Sequence, residues 1–324
     1  MDILILIAGI AMLIVGAEIF VNSSVSIAKK MGIPTVVIAL TVIAIGTSAP
    51  ETVISINASV KGHCELSMSN IIGSNFFNLM FIVGICALIW QMDVKLKEVG
   101  TESWLMVGSN VLLFLVMIAS LLWVGSGDRV PRIVGVVMVV TFIVYLSLLL
   151  RHVMQSLHSQ EHVLHRTPIN ITQEETKPLW LVVIGVIFGL AIILWGGEIT
   201  VDHAGLIAKN YGVSPRIIGL TIIGAGTSLP ELIISATACM KRQSGIALGT
   251  IVGTNIYNLL FILGVAGTID PLLTVKSQMF DMAALSFGNM IFLIFILAGK
   301  RLNRLEGAIM LTIYFGYLTY MFLS

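Results

Sequence analysis

The sequence predicts an all-α integral membrane protein with ten transmembrane helices, arranged as two inverted five-helix repeats. Three observations support this fold class: an apolar composition, apolar segments long enough to cross a bilayer, and an internal duplication. Of the 324 residues, 57% are hydrophobic and 11% are charged, and the mean hydropathy is +1.01. Such a composition excludes an ordinary water-soluble globular protein.

The apolar segments are long and continuous. Crossing about 30 Å of hydrocarbon takes about 20 helical residues, whereas barrel strands are shorter and alternate in polarity. Helices are therefore favoured over a barrel. The ten segments cover residues 3–27, 35–60, 68–90, 103–124, 131–150, 179–207, 215–239, 246–269, 279–299 and 305–322.

An internal repeat organises these segments. Residues 9–86 match residues 189–266 at a fixed offset of 180 without a gap, with 31 identities in 78 positions. Shared membrane composition does not explain the match of polar residues such as Glu51 and Glu231. Because each repeat contains five spans, an odd number, the second copy enters the membrane from the opposite side, and the halves are inverted.

The repeat divides the chain into three parts. We expect a first five-helix repeat at 1–150, a linker at 151–177, which is the one long polar segment, and a second repeat at 178–324. The two alpha-repeats within these halves lie at about 35–90 and 215–270. Alternate sides of the membrane receive twelve and six Lys and Arg residues. The positive-inside rule then places the linker in the cytoplasm and the N-terminus outside the cytoplasmic membrane.

One motif interrupts the second and seventh segments. IAIGTSAPETVIS at 43–55 recurs as IGAGTSLPELIIS at 223–235. Proline lacks an amide hydrogen and its ring clashes with the carbonyl four residues earlier, so Pro50 and Pro230 should break their helices. A freed carbonyl within hydrocarbon is tolerated only where it is buried in protein or lines a polar cavity. The broken helices two and seven are therefore expected to frame a site near the bilayer midplane.

Side chains around the breaks carry oxygen ligands. Thr47 and Ser48 lie four and three residues before Glu51, which places two hydroxyls and a carboxylate on neighbouring positions of one helical face. The next segment carries Ser74 and Asn78, again four residues apart. The second repeat offers the equivalent set: Thr227, Ser228, Glu231, Thr254 and Asn258.

This set of ligands favours a hard cation. It contains two carboxylates, two amides and six hydroxyls, with no thiol or imidazole, which suits Ca²⁺ or Na⁺. Two carboxylates also balance one divalent ion. Because buried charge without a partner is costly, the empty site should resist crossing the membrane barrier and should move when filled. The sequence therefore predicts an exchanger and not a channel, and we expect no enzyme activity.

The motif pairs GTSAPE with GSNFFN, and GTSLPE with GTNIYN, resemble the two alpha-repeats of the cation/calcium antiporter superfamily, and more narrowly its sodium/calcium exchanger branch of microbial type. The resemblance covers nearly the whole chain. It implies secondary active antiport by alternating access, in which Na⁺ entering down its gradient drives Ca²⁺ out of the cytoplasm. The expected partners are these two ions and the lipid bilayer, with no cofactor, no nucleic acid, and a monomer as the functional unit.

The resemblance also implies where the ions bind. In the family they lie between the second, third, seventh and eighth helices, and helices one and six slide past this core. Glu51 and Glu231 would be the calcium carboxylates, and Ala44 and Gly224 would contribute main-chain carbonyls. The remaining ligands would be Thr47, Ser48, Ser74, Asn78, Thr227, Ser228 and Thr254.

Two positions depart from the family pattern. Many members carry Asp where this chain has Asn258, and Ser where it has Thr254, so the site holds one acidic group fewer. The first alternative function is a calcium/proton antiporter that uses the same carboxylates, and the second is a cation channel. The equivalent residues Glu18 and Glu198 lie one span away from the cluster, and their positions are compatible with a structural, an access-path or a ligand role. Asp202 is expected to be solvated.

Overall fold

The computed structural model describes residues 2–31, 33, 35–122, 129–164, 178–210, 224–274, 276–299 and 301–323. These residues are almost entirely helical, and two short strands, β1 (Met92–Asp93) and β2 (Arg301–Leu302), pair antiparallel. Apart from a helical turn at Gly224–Gly226, the described helices are numbered α1 to α11. In chain order they cover Asp2–Met31, Thr35–Thr47, Ala49–Val60, Cys64–Ile89, Leu96–Leu122, Arg132–Leu164, Leu179–Asn210, Leu229–Met240, Ser244–Ile269, Lys276–Ala298 and Arg304–Leu323.

The helical membrane class predicted from composition is confirmed. Within the described ranges, seven single helices are long and apolar enough to cross a membrane, and the bent pair α2–α3 makes an eighth. The segment predicted at 215–239 is described only from residue 224 onward, and α11 covers the one predicted at 305–322. The number ten stays a prediction.

One boundary differs from the sequence prediction. The apolar part of α6 covers Arg132–Arg151, close to the predicted 131–150, but the helix itself continues to Leu164. The first part of the predicted linker is therefore helical, because backbone hydrogen bonding continues past the point where the apolar side chains end. Residues 165–177 lie outside the described part of the chain.

The predicted break of the second helix is present. Helices α2 and α3 meet at a bend of 51°, and the residue between them, Ser48, has φ −78° and ψ 13°. Pro50 is the second residue of α3, where its missing amide hydrogen leaves no helical bond unmade. Ser228 precedes α8 with a similar φ of −91° and ψ of 9°, and Pro230 follows it. Both motifs thus start a new helix at the same position.

Helices α4 and α9 form the buried centre and run antiparallel. Each contains a π-helical segment, Phe77–Ile82 in α4 and Tyr257–Ile262 in α9. The amide of Cys64, at the start of α4, donates to Asp270 Oδ2 just after α9 (3.2 Å). The amide of Asp93, just after α4, donates to Ser244 Oγ at the start of α9 (3.3 Å).

Helices α1 and α7 pack with their backbones in contact. A Cβ atom added at Gly16 would lie 3.0 Å from the carbonyl oxygen of Gly189, and one added at Gly189 would lie 3.0 Å from that of Gly16. Two turns further along α7, a Cβ added at Gly196 would lie 3.0 Å from the carbonyl oxygen of Gly9 in α1. Small residues that allow such close approach are typical of tight helix pairs in membranes. Helices α1 and α7 therefore form one packed unit.

This packing predicts a large effect of one methyl group. Gly189→Ala places its Cβ 2.8 Å from the amide nitrogen of Phe20. Because backbone cannot move aside cheaply, we expect a destabilisation of about 1–3 kcal/mol. The readout is the thermal midpoint of the purified protein in detergent. The matched control is Gly316→Ala in α11, where a Cβ meets nothing within 4 Å. It should leave the midpoint unchanged or raise it; equal effects of the two variants would contradict the packing described here.

Candidate cation-binding site

The two motif carboxylates are buried together at the starts of α3 and α8. Glu51 and Glu231 are each 0% exposed. Ser228 Oγ donates to Glu51 Oε1 at 3.2 Å, and Ser48 Oγ approaches Glu231 Oε1 at 3.5 Å. Each carboxylate is thus held by a hydroxyl from the other repeat. The structure therefore brings the two copies of the motif into one site.

The hydroxyls of the first motif also contact main-chain carbonyls of the preceding turn. Thr227 of the second motif, next to Ser228, is half-buried. The main-chain carbonyl of Ala44, a predicted ligand, accepts a hydrogen bond from the hydroxyl of Ser48 at 2.9 Å. Thr47 Oγ1 lies 3.0 Å from the carbonyl of Ile43 and 3.3 Å from that of Ala44.

The predicted asparagines form a reciprocal network between α4 and α9. Asn75 Nδ2 donates to the carbonyl of Asn255, and Asn255 Nδ2 donates to the carbonyl of Asn75, both at 3.2 Å. Asn78 Nδ2 donates to Asn255 Oδ1 (3.3 Å), and Asn258 Nδ2 donates to Asn75 Oδ1 (3.1 Å). Asn258 Nδ2 also lies 3.4 Å from Ser74 Oγ. The network holds Asn78, Asn258 and Ser74 at one level of the helix pair.

Asn75 and Asn255 were missed as site residues at the sequence level. They lie one residue after the predicted ligands Ser74 and Thr254, and both are identical in the repeat. That identity was the available signal. Of the remaining predicted ligands, Thr254 is buried in α9, and Gly224 begins the helical turn three residues before Thr227.

Several oxygens of the site have no hydrogen-bond partner among the described residues, although buried polar groups are nearly always paired. The atoms are Glu51 Oε2, Glu231 Oε2, Asn78 Oδ1, Asn258 Oδ1 and Thr254 Oγ1. An ionised carboxylate and an amide oxygen only accept hydrogen bonds. Four of the five atoms can therefore be satisfied only by a hydrogen-bond donor or by a positive charge.

No buried protein cation supplies that charge among the residues whose burial the structure describes. Their buried side chains include Glu51 and Glu231 but no Lys, Arg or His. Among the described residues, no three or more His, Cys, Asp or Glu side chains are grouped so that they alone could hold a metal ion. Two carboxylates surrounded by neutral oxygens form a donor set that suits a hard cation and not a soft transition metal.

The other acidic residues of the spans lie elsewhere. Glu18 and Glu198 are both exposed on the surface of the helical bundle. Glu18 pairs there with Lys241, whose Nζ lies 3.4 Å from its Oε1. Asp202 is exposed as expected, whereas the adjacent His203 contacts Asp2 through an Nδ1 to Oδ1 distance of 3.2 Å. None of these carboxyls belongs to the buried cluster.

A helical bundle with at least seven apolar spans around a buried, oxygen-lined site is a polytopic membrane protein. The chain belongs to the sodium/calcium exchanger protein family, whose model matches residues 1–151 and 181–323. It is 32% identical over 323 residues to CaxA of Alkalimonas amylolytica, a protein named as an antiporter, covering 98% of this chain and 97% of the relative. It is 28% identical over 346 residues to the sodium/calcium exchanger MaX1 of Methanosarcina acetivorans, covering 98% of each chain.

A solved structure agrees with this assignment. The sodium-calcium exchanger NCX_Mj, soaked with 10 mM Na⁺ and zero Ca²⁺, superposes with a TM-score of 0.80 at 27% identity, covering 98% of both chains. The fold of this chain is therefore that of a known ion exchanger.

The asparagine network should stabilise the contact between α4 and α9. Asn75→Ala removes one donor and leaves Asn258 without the amide oxygen that it contacts. We expect a loss of about 1–3 kcal/mol, seen as a lower thermal midpoint in detergent, with Asn255→Ala behaving alike. Asn57→Ala, on the exposed face of α3, is the control; equal effects at positions 57 and 75 would contradict a role for the network.

Proposed function

We propose that the protein is a secondary active antiporter that exchanges Na⁺ for Ca²⁺ across the cytoplasmic membrane by alternating access and extrudes Ca²⁺. The observation that carries the proposal is the pair of buried carboxylates, Glu51 and Glu231, with no buried Lys, Arg or His among the residues whose burial the structure describes. Family membership supports the same conclusion.

The proposed ligands surround these two carboxylates. The oxygens without hydrogen-bond partners point to Asn78, Asn258 and Thr254 as ligands. The other proposed contributors are Ala44, Thr47, Ser48, Ser74, Gly224, Thr227 and Ser228. Ala44 and Gly224 would contribute main-chain carbonyl oxygens, and the other residues would contribute side-chain oxygens. All of these ligand atoms are oxygens, which suit Ca²⁺ and Na⁺.

Charge balance explains why the protein would exchange ions rather than conduct them. Moving two uncompensated carboxylates through a low-dielectric barrier is costly, and one Ca²⁺ or two Na⁺ cancels their charge. The site can then reorient across the membrane only when cations are bound to it. A channel would lack this obligatory coupling.

We propose that the two halves, 1–150 and 178–324, are inverted repeats joined by a cytoplasmic linker at 151–177. The equivalent turns at 61–63 and 241–243 support this arrangement because they lie at opposite ends of α4. One turn directly precedes Cys64, and the Arg242 guanidinium of the other lies 4.4 Å from the Trp90 ring centre, just after α4 ends. We also propose that the N-terminus is outside the cell and that the monomer is the functional unit.

The coupling ion is the property to test first. In proteoliposomes, calcium uptake should be driven by an outward sodium gradient, and a proton gradient alone should not drive it. Glu51→Gln and Glu231→Gln should each lower uptake by more than about tenfold, because each removes half of the charge that balances Ca²⁺. Glu65→Gln, on the exposed start of α4, is the matched control and should transport normally.

The same assay separates the alternatives. Uptake driven by protons and indifferent to sodium would overturn the proposal in favour of calcium/proton antiport through the same carboxylates. Flux that needs no counter-ion would identify a channel. The lack of a buried Lys, Arg or His among the residues whose burial is described fits proton binding as well as sodium binding, so the gradient comparison is decisive.

Asn258 should influence the choice between ions. Asn258→Asp adds a negative charge to the proposed ligand set, and a divalent ion gains twice the Coulomb energy of a monovalent ion from it. We expect the concentration of Na⁺ that halves calcium uptake to rise by about tenfold or more, equivalent to ~1.4 kcal/mol. Asn57→Asp is the surface control. Unchanged competition would place Asn258 outside the site.

A further inference from the structure

Two equivalent hairpins flank the site and present matching lysines. The first hairpin is α3, the turn 61–63 and α4; the second is α8, the turn 241–243 and α9. The amide of Lys61 donates to the carbonyl of Asn57, and that of Lys241 to the carbonyl of Thr237, both at 3.1 Å. The next residue of each turn has a positive φ, 77° at Gly62 and 58° in the second turn. The two lysines therefore leave their turns in the same way.

The second hairpin is tied to α1 by its lysine. Lys241 Nζ lies 2.7 Å from Asn22 Oδ1 and 3.4 Å from Glu18 Oε1. Helix α1 also packs along α8. These three residues, Glu18, Asn22 and Lys241, are called the closed latch.

The first hairpin carries the equivalent residues but not the contact. The repeat offset of 180 relates Lys61 to Lys241, and it places Glu198 and Asp202 of α7 at the positions of the two α1 residues in the closed latch. The side chains of all three are exposed, and these side chains form no hydrogen bond or ion pair within the part of the chain that the structure describes. Among the described residues, α7 also lacks a packing on α3 comparable to that of α1 on α8. These three residues are called the open latch.

We propose that the two latches close in turn during transport. Helices α1 and α7 form one packed unit, and the two turns lie at opposite ends of α4. A shift of this unit towards the first hairpin would therefore separate Lys241 from Glu18 and bring Glu198 and Asp202 to Lys61. The inference rests on the alternating access proposed above, and it assigns the six residues as positioning residues for the two orientations of the site.

The chemistry of the latches suits this role. Exposed ion pairs are weak, as a contact that breaks in every cycle must be. The open latch carries two carboxylates four residues apart, which repel each other on one helix face until a cation arrives. The closed latch has an amide at one of these positions. The open latch should therefore gain more from its lysine than the closed latch does.

The test measures conformation directly and needs no flux. Spin labels at His63→Cys and Trp195→Cys, both exposed, report the distance between the first turn and α7 by pulsed electron paramagnetic resonance. The three native cysteines are buried, so the label should select the new sites. In the double-labelled protein in lipid nanodiscs, Lys241→Gln and Glu18→Gln should increase the short-distance population roughly two- to five-fold. Lys61→Gln and Asp202→Asn should decrease it by a similar factor.

Controls separate a latch from a general structural effect. The exchanged pair Glu18→Lys with Lys241→Glu should restore the original distribution, and Arg132→Gln, an exposed charge elsewhere, should not change it. Shifts in the same direction at positions 61 and 241, or no shift at either, would overturn the inference. Opposite shifts in a protein without sodium-driven uptake would keep the latches and refute the transport proposal. Normal sodium-driven uptake with no shifts would support the transport proposal and refute the latches.

Discussion

Two buried carboxylates, with no buried cationic side chain among the residues whose burial the structure describes, determine the rest of this structure. Glu51 and Glu231 lie at 0% exposure, where an isolated charge is expensive. Each lies in the first turn of a helix, α3 or α8, where the partial positive charge of the helix N-terminus offsets part of that cost. A helix can begin inside the membrane only if the preceding segment is broken. The break at Ser48 is therefore a consequence of where the carboxylate must be.

Duplication solves the second problem, which is to bring both carboxylates to one place. The break at Ser48 separates the hydroxyls of the first motif from its own carboxylate, which lies in the next helix. When two copies face each other, Ser228 reaches Glu51 and Ser48 reaches Glu231. The pairing of Asn75 with Asn255 follows the same reciprocity. One sequence solution thus supplies both halves of the contact.

Local chemistry explains which features the sequence could predict. The breaks follow from proline stereochemistry, and the pair of carboxylates follows from a motif repeated at a fixed offset, so both could be predicted. The pairing of Asn75 with Asn255 was not, because it depends on where α4 and α9 cross. The π-helical segments at Phe77–Ile82 and Tyr257–Ile262 were missed for a related reason: an i→i+5 bulge is fixed by packing and not by local propensity.

Asn258 shows why a neutral side chain fits a site built for cations. Its Nδ2 group donates towards Asn75 Oδ1 and Ser74 Oγ, so the amide serves the helix contact as well as the site. An aspartate has no such donor, and its charge would face the amide oxygen of Asn75. The Oδ1 oxygen of Asn258 has no hydrogen-bond partner in the described chain and remains able to bind a cation. The asparagine therefore lacks the negative charge that an aspartate would add to the site, but it donates hydrogen bonds that stabilise the contact between α4 and α9.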